Sequence, residues 1–241
     1  MQKYAYHWLG DNWSWVEYMA DSVKNIYEYQ LFGLPFMGCD LCGFNGDAAG
    51  DLCTRWHQVG TLFPFARNHN QNATTDQEPY VFNFTLPAKV SDNHNITYTD
   101  VIRTAIRNRY TLTRYYYSQF WKINEEGGSF FKPLFFDFGD DAEAYKLIEK
   151  NMLIGNALKG SVETTNLSKS EGVDFYFPQG TWCPIIPHLP SSFNQCIDHS
   201  AGGANKTLRS HMEDYYVHIR DGSILPVQNA TEYRTNRTHD Q

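Results

Sequence analysis

Apolar positions along this chain follow two periods, and the change between them divides the sequence. Up to about residue 150 the helical period dominates. Val16, Met19, Val23 and Ile26 share one helical face. Ser14 and Glu17 have the spacing of a capping box ahead of it, with Ser14 as the cap, and Gly33 and Pro35 mark its end. Leu52, Trp56, Val59 and Phe63 recur at helical steps and predict a second helix. Ile102, Ile106 and Tyr110 predict a third, long helix, capped by Thr99 or Asp100 and stopped by Gly127-Gly128. Between the helices, residues 4–11, 36–39 and 134–138 read as short buried strands. Residues 66–98 are polar, rich in Asn and Thr, and expected to be irregular. From about Met152 onward, short apolar runs alternate with Gly, Pro, Ser and Asn turns, the pattern of an all-β domain. The expected organisation is therefore an α/β part over residues 1–150 and an all-β part over 151–241, with a loose polar tail after Pro226.

Strand–helix alternation is the unit of a parallel barrel, where residues at strand C-termini face the active site. Asp11 and Asp40 both fall at such ends. An Asp before a helix commonly serves as a cap, but Ser14 is expected to fill that role, which leaves Asp11 free for chemistry.

Charge and composition narrow the ligand. The 241 residues carry a formal charge of -7, with aromatics at 16%. An acidic chain argues against nucleic acid, which needs a basic stripe. An aromatic excess suits a neutral sugar. No apolar run approaches the roughly 20 residues of a membrane span. Cys39 and Cys42 form a C-x-x-C, but no second C-x-x-C accompanies it, so zinc is disfavoured. The His residues show no metal-ligand spacing. Eight Asn-x-Ser/Thr sequons, at Asn12, Asn72, Asn83, Asn95, Asn166, Asn205, Asn229 and Asn236, point to the secretory pathway, either secreted or lysosomal. Met1-Gln2-Lys3-Tyr4 shows no leader pattern, so a secretory reading implies that the chain is part of a longer protein.

Several stretches, in order, carry a family resemblance. They are His7-Trp8-Leu9-Gly10-Asp11-Asn12, Gly33-Leu34-Pro35-Phe36-Met37-Gly38-Cys39-Asp40-Leu41-Cys42-Gly43-Phe44 and Phe63-Pro64-Phe65-Ala66-Arg67-Asn68-His69-Asn70. Further along come Lys132-Pro133-Leu134-Phe135-Phe136-Asp137-Phe138, Tyr176-Phe177-Pro178-Gln179-Gly180-Thr181-Trp182 and His218-Ile219-Arg220-Asp221-Gly222-Ser223-Ile224-Leu225-Pro226. Together they resemble glycoside hydrolase family 31, with wording most like the lysosomal and intestinal maltase branch.

That resemblance implies the C-terminal part of a (β/α)8 TIM barrel followed by a partial β-sandwich. It implies a retaining α-glucosidase that releases glucose from the non-reducing ends of α-glucans and maltooligosaccharides, without metal or cofactor. Asp11 would be the acid/base residue, and burial beside Trp8 and Trp13 would favour its protonated form. Trp8 would wall the sugar subsite, Asp40 order the polar network, Phe44 pack on the sugar and His69 hydrogen-bond its hydroxyls. A disulfide between Cys42 and Cys53 is implied. Cys183 and Cys196 would close a second loop, with Cys39 left as a buried thiol.

One departure weighs against activity of the chain alone. The family's nucleophile, an Asp in a Trp-x-Asp-Met-Asn-Glu-like segment on an earlier strand, is not in these residues. Neither is the family's sugar-contacting Arg before the acid/base motif. The upstream half of the same enzyme is expected to complete the barrel. Competing readings are a non-catalytic sugar-binding module, another enzyme of the family such as an α-xylosidase, and an inactive truncated remnant. Asn12, beside Asp11, is expected to stay unglycosylated, since a glycan there would block the cleft.

Overall fold

A computed structural model describes residues 5–185 and 195–228. The first part is helical, with α1 (Val16–Leu31), a two-residue strand β1 (Asp40–Leu41), α2 (Gly50–Gly60), a matching strand β2 (Arg67–Asn68), α3 (Tyr98–Thr111) and α4 (Thr113–Glu126). β1 and β2 pair in parallel, with Asp40 opposite Arg67. The predicted strand at 36–39 contracts to β1, which begins at Asp40. Residues 5–10 form no ladder. Each stretch is joined by single backbone bonds instead, Leu9 N–H to Gly38 C=O at 3.0 Å and Phe65 N–H to Met37 C=O at 3.0 Å. Three chain segments thus lie side by side with too few bonds to make a regular sheet.

The helices follow the apolar periods. Met19, Val23 and Ile26 are fully buried on α1, as are Trp56, Val59 and Phe63 on and just beyond α2. Their caps differ from expectation. The N-cap of α1 is Trp15, whose indole has no acceptor and makes no capping bond, while Ser14 Oγ donates to Gly46 C=O at 3.1 Å. An N-cap without a side-chain acceptor costs about 1 kcal/mol. The cap of α3 is Thr97, two residues ahead of Thr99 and three ahead of Asp100. Its hydroxyl accepts from Asp100 N–H, and the Asp100 carboxylate accepts from Thr97 N–H, a complete capping box. The single long helix is two. At Leu112 the amide is shared between the Asn108 and Arg109 carbonyls, Leu112 turns into the core, and Thr111 C=O accepts from Gln228 N–H. Gly127, at φ +80°, ends α4 as expected.

The second part is antiparallel. Strands β3 (Phe131–Pro133), β4 (Asn151–Ile154), β5 (Leu158–Ser161), β6 (Ser170–Phe177), β7 (Gly180–Pro184), β8 (Ile197–His199), β9 (Ala204–Ser210) and β10 (Tyr216–Arg220) form two sheets. One has the order β3-β4-β5-β10-β7-β8, the other is β6-β9. The strand predicted at 134–138 is displaced. Phe131–Pro133 takes the strand and pairs with β4, while Leu134–Phe136 is a 3-10 turn. Phe175, Phe177 and Leu208 pack against Leu153, Trp182 and Tyr216 between the sheets. The tail expected to be loose after Pro226 lies, from residue 229, outside the described residues.

Polar side chains bolt the two parts together. Arg55 of α2 is fully buried and donates to the carbonyls of Ser210, His211 and Asp214. Gln30 of α1 accepts from the amides of Phe130 and Phe131. The Tyr27 hydroxyl donates to Asn151 C=O at 3.1 Å. Arg109 of α3 donates to the Gly60, Thr61, Phe63 and Pro64 carbonyls, which satisfies the end of α2.

His57 on α2 sets an acid limit. Burial pushes its pKa from 6.5 down to about 4, opposed by its hydrogen bond with Cys53 C=O. A depressed histidine contributes stability that is present above the unfolded pKa and lost as pH falls toward the folded one. Stability of this chain is expected to fall between pH 6.5 and about 4. His57→Met, which keeps an adaptable apolar group at the site, is expected to remove about 3 kcal/mol of that loss. Urea unfolding midpoints measured across this range check the slope.

Candidate functional site

Gly10 holds φ +88°, a left-handed turn that glycine takes without strain, and it delivers Asp11 to the surface with an exposed side chain. Asn12 turns back inside and is 6% exposed. Its amide Nδ2 donates to Asp40 C=O at 2.9 Å, and its Oδ1 accepts from Phe44 N–H at 3.0 Å. Its own C=O accepts from the amides of Phe44 and Asn45. One side chain thus fastens the Asp11 loop to the loop that carries Asp40 and Phe44. The loops are in contact, since a Cβ on Gly43 would sit 2.4 Å from Ser14 N.

Asp40 is fully buried. Its Oδ1 accepts from Arg67 Nε at 2.8 Å and Nη2 at 2.5 Å. Its Oδ2 is buried without a partner among the described residues. Burial raises the Asp40 pKa from its ordinary value, opposed by the hydrogen bond and charge of Arg67 and then by the charge of His69. The Arg67 guanidinium lies 5.4 Å from the centre of the Trp8 ring. The rings of Phe44 and His69 face each other at 5.3 Å.

Asp40 therefore gathers Trp8, Arg67 and His69, and Phe44 joins through His69. Asp11 stands at the rim, attached through Asn12. The expected burial of Asp11 beside Trp8 and Trp13 is not observed, and its side chain is exposed. Trp8 leans toward Arg67, Trp13 stacks on Trp15, and both Trp8 and Trp13 remain 41% exposed. Asn12 and Arg67 are the two site residues that pattern reading did not single out. The sequon drew attention to Asn12 only as a glycan acceptor. Arg67 was legible as a cation beside His69, but its partner lies 27 residues away.

Together these groups offer an unfilled carboxylate oxygen, an exposed carboxylate, and ring faces with N–H donors. They suit a neutral ligand with many hydroxyls. A groove of about 530 Å³ lined by Leu41, His57, Thr61, Ala66, Arg109 and Tyr116, among others, includes none of the five candidate residues. Its lining is mainly apolar and Arg109 is committed to carbonyls, so it does not offer this chemistry. The C-x-x-C pair is not a metal site. Cys42 is bonded to Cys53, and Cys183 to Cys196. Cys39 is a free buried thiol that burial pushes up to about 11. Asp92, Glu171 and His211 also cluster, but Lys169 already neutralises Asp92.

Residues 1–119 match the glycosyl hydrolases family 31 TIM-barrel domain, and residues 127–225 the glycosyl hydrolase family 31 C-terminal domain. The chain belongs to glycoside hydrolase family 31. An alpha-glucosidase of Mucor javanicus is 35% identical over 92% of this chain and 24% of its own length. A lysosomal alpha-glucosidase of Mus musculus is 34% identical over 94% of this chain and 23% of its own. The chain thus spans about a quarter of the relatives it matches. Among solved structures, a glucosidase II alpha subunit superimposes with a TM-score of 0.74 at 26% identity, over 90% of this chain and 21% of that one. A Flavobacterium johnsoniae family 31 dextranase shares the fold at a TM-score of 0.75 and 23% identity, over 94% of this chain and 27% of that one.

The buried Asp40 carboxylate depends on Arg67. Arg67→Met is expected to destabilise the chain by about 3 kcal/mol, because it leaves a buried charge unpaired. Asp40→Asn on the Arg67→Met background is expected to recover part of that loss. Thermal unfolding of the three variants gives the comparison.

Proposed function

We propose that this chain supplies the acid/base half of a retaining α-glucosidase site, acting on α-linked glucose at non-reducing ends of glucans and maltooligosaccharides. The observation that carries the reading is the exposed Asp11 carboxylate anchored beside a buried Asp40 with a free oxygen. Asp11 protonates the departing glycosidic oxygen, then takes a proton from the attacking water. Trp8 walls the subsite of the released glucose. The free Asp40 oxygen accepts from a sugar hydroxyl, with Arg67 holding the carboxylate in register. Phe44 packs on the sugar, and His69 donates a ring N–H to it. No cofactor enters this chemistry.

Retaining hydrolysis uses a second carboxylate about 5–5.5 Å from the first. The 241 residues contain no Trp-x-Asp-Met-Asn-Glu-like segment. We assign the nucleophile, and the rest of the barrel, to the part of the relatives' length that this chain does not span. In the native protein, Asp11→Asn is expected to lower maltose turnover by about 10²–10⁴-fold. The 241 residues alone are expected to bind glucose through Trp8 and His69 and to release none from maltose. Glucose release by these residues that disappeared on Asp11→Asn would place the nucleophile within them instead. Sugar binding with no turnover in the native protein would make the site a binding module.

The two disulfides and the sequons support a secretory location. No helix among the described residues is long and apolar enough to cross a membrane. Asn72, Asn83, Asn95, Asn166 and Asn205 are exposed, whereas the Asn12 amide is buried and hydrogen-bonded through both its nitrogen and its oxygen. Asn229 and Asn236 lie outside the described residues. Glycopeptide mapping of the secreted protein is expected to find glycans among the five exposed sites and none on Asn12. A glycan on Asn12 would be incompatible with the loop anchoring the site.

A further inference from the structure

The parallel ladder of β1 and β2 ends after two rungs, Asp40 with Arg67 and Leu41 with Asn68. The chain turns before it presents Phe44, and Cys42 and Gly43 both hold positive φ there, +75° and +96°. Cys42 carries a Cβ into a region that favours glycine, so this backbone has to be held by its surroundings. The Cys42–Cys53 bond is one hold. Gln77, from the irregular loop between α2 and α3, is another. It is 1% exposed. Its Nε2 donates to Leu41 C=O at 3.3 Å, to Gly43 C=O at 3.0 Å and to Asn68 Oδ1 at 3.2 Å. Asn68 Nδ2 in turn donates to Gln77 C=O at 2.8 Å. Three oxygens around one atom require a donor at that place. The other end of the amide, Oε1, is buried without a partner among the described residues. Gln77 therefore acts through its nitrogen, which stands in for a third rung of the ladder.

The residues next to this clamp are those of the candidate site. Asp40 precedes the turn and Phe44 follows it, while Arg67 and His69 flank Asn68. In chain order the facing rings of Phe44 and His69 fall between the clamp and a second fastening, the 3.0 Å bond from Gln71 N–H to Phe44 C=O. The side-chain bonds of Gln77 go to Leu41, Gly43 and Asn68 and not to the candidate ligands themselves. We propose that Gln77 is a positioning residue of the sugar site, which sets the separation at which Phe44 and His69 meet a bound glucose. The proposal rests on the reading of Phe44 and His69 as sugar contacts. A ring pair that is held in place before binding loses less freedom on binding, so the clamp acts on affinity.

The native protein tests this through glucose affinity and through kcat and KM on maltose. Gln77→Met removes the donor and keeps the bulk. It is expected to weaken glucose binding by about tenfold and to lower kcat/KM mainly through KM. Gln77→Glu sets a carboxylate against the same carbonyls at neutral pH and is expected to lose as much. A protonated carboxyl can donate one bond there, and burial favours that form. The Gln77→Glu defect, measured against the unmodified protein at each pH, is therefore expected to shrink between about pH 7 and about pH 5. A residue that only stabilises the fold would lower the thermal unfolding midpoint and leave glucose affinity and KM where they were, and that result overturns the proposal. So does a fall in kcat with KM unchanged. Should Gln77→Met fail to fold, Gln77→Glu decides, and a defect that does not shrink with acid overturns the proposal. His69→Ala is measured alongside. If it leaves glucose affinity intact, the sugar-site reading falls and this proposal with it. If it weakens binding while neither Gln77 variant does, this proposal alone falls.

Discussion

The Asn12 amide is the interaction on which the site depends. Its carbonyl oxygen and one of its N–H donors are used across a loop boundary. The Asp40 carbonyl and the Phe44 amide both terminate on it. Backbone bonds also join the two loops, but this side chain is the one that bonds the Asp40 residue itself to the Asp11 turn. The arrangement is economical because an amide can satisfy a donor and an acceptor at once while carrying no charge. A buried Asp or Lys at this place would add a desolvation cost that the loop has no partner to offset.

The two parts of the chain also rely on buried polar groups, at larger scale. Arg55 is fully buried, and burial lowers its pKa, yet its guanidinium is spread over carbonyls of the 210–214 turn. Gln30 and Tyr27 do the same for β3 and β4. These bonds set direction, while the area comes from one continuous apolar core that includes residues of the helices and of the six-stranded sheet. The helical segments therefore have a rigid backing, which matters because β1 and β2 are only two residues each.

Much of this was legible in the chain. The apolar faces of α1 and α2 were, because burial imposes a period that composition alone cannot mimic. So was the change of character toward an antiparallel domain. Element ends were harder. Ser14 looks like a cap and is diverted to Gly46 by a contact 32 residues away. Leu112 interrupts an unbroken helical pattern because it packs inward and a distant amide takes Thr111 C=O. Lys132 and Pro133 read poorly as strand, yet Pro133 lies at the end of an edge strand, where its missing N–H costs little. For the site, the motif stretches nominated Asp11, Trp8, Asp40, Phe44 and His69, and the structure brings the last four of these together. Asn12 and Arg67 were not identified because their roles exist only once separate loops meet. The exposure of Asp11 was missed for the same reason, since nothing local reveals which way Trp8 and Trp13 turn.

The buried amide of Asn12 also belongs to a sequon. In a compartment that modifies sequons, the unfolded chain offers Asn12 to the glycosylation machinery and the folded chain withdraws it. The residue then records a race between modification and folding. A sugar attached to Asn12 before folding would occupy the place where the loop anchor closes. Any substitution that delays folding of this region would be expected to enlarge the modified fraction, even if it left the finished structure unchanged. Asn12 would then act as a kinetic checkpoint as well as a strut.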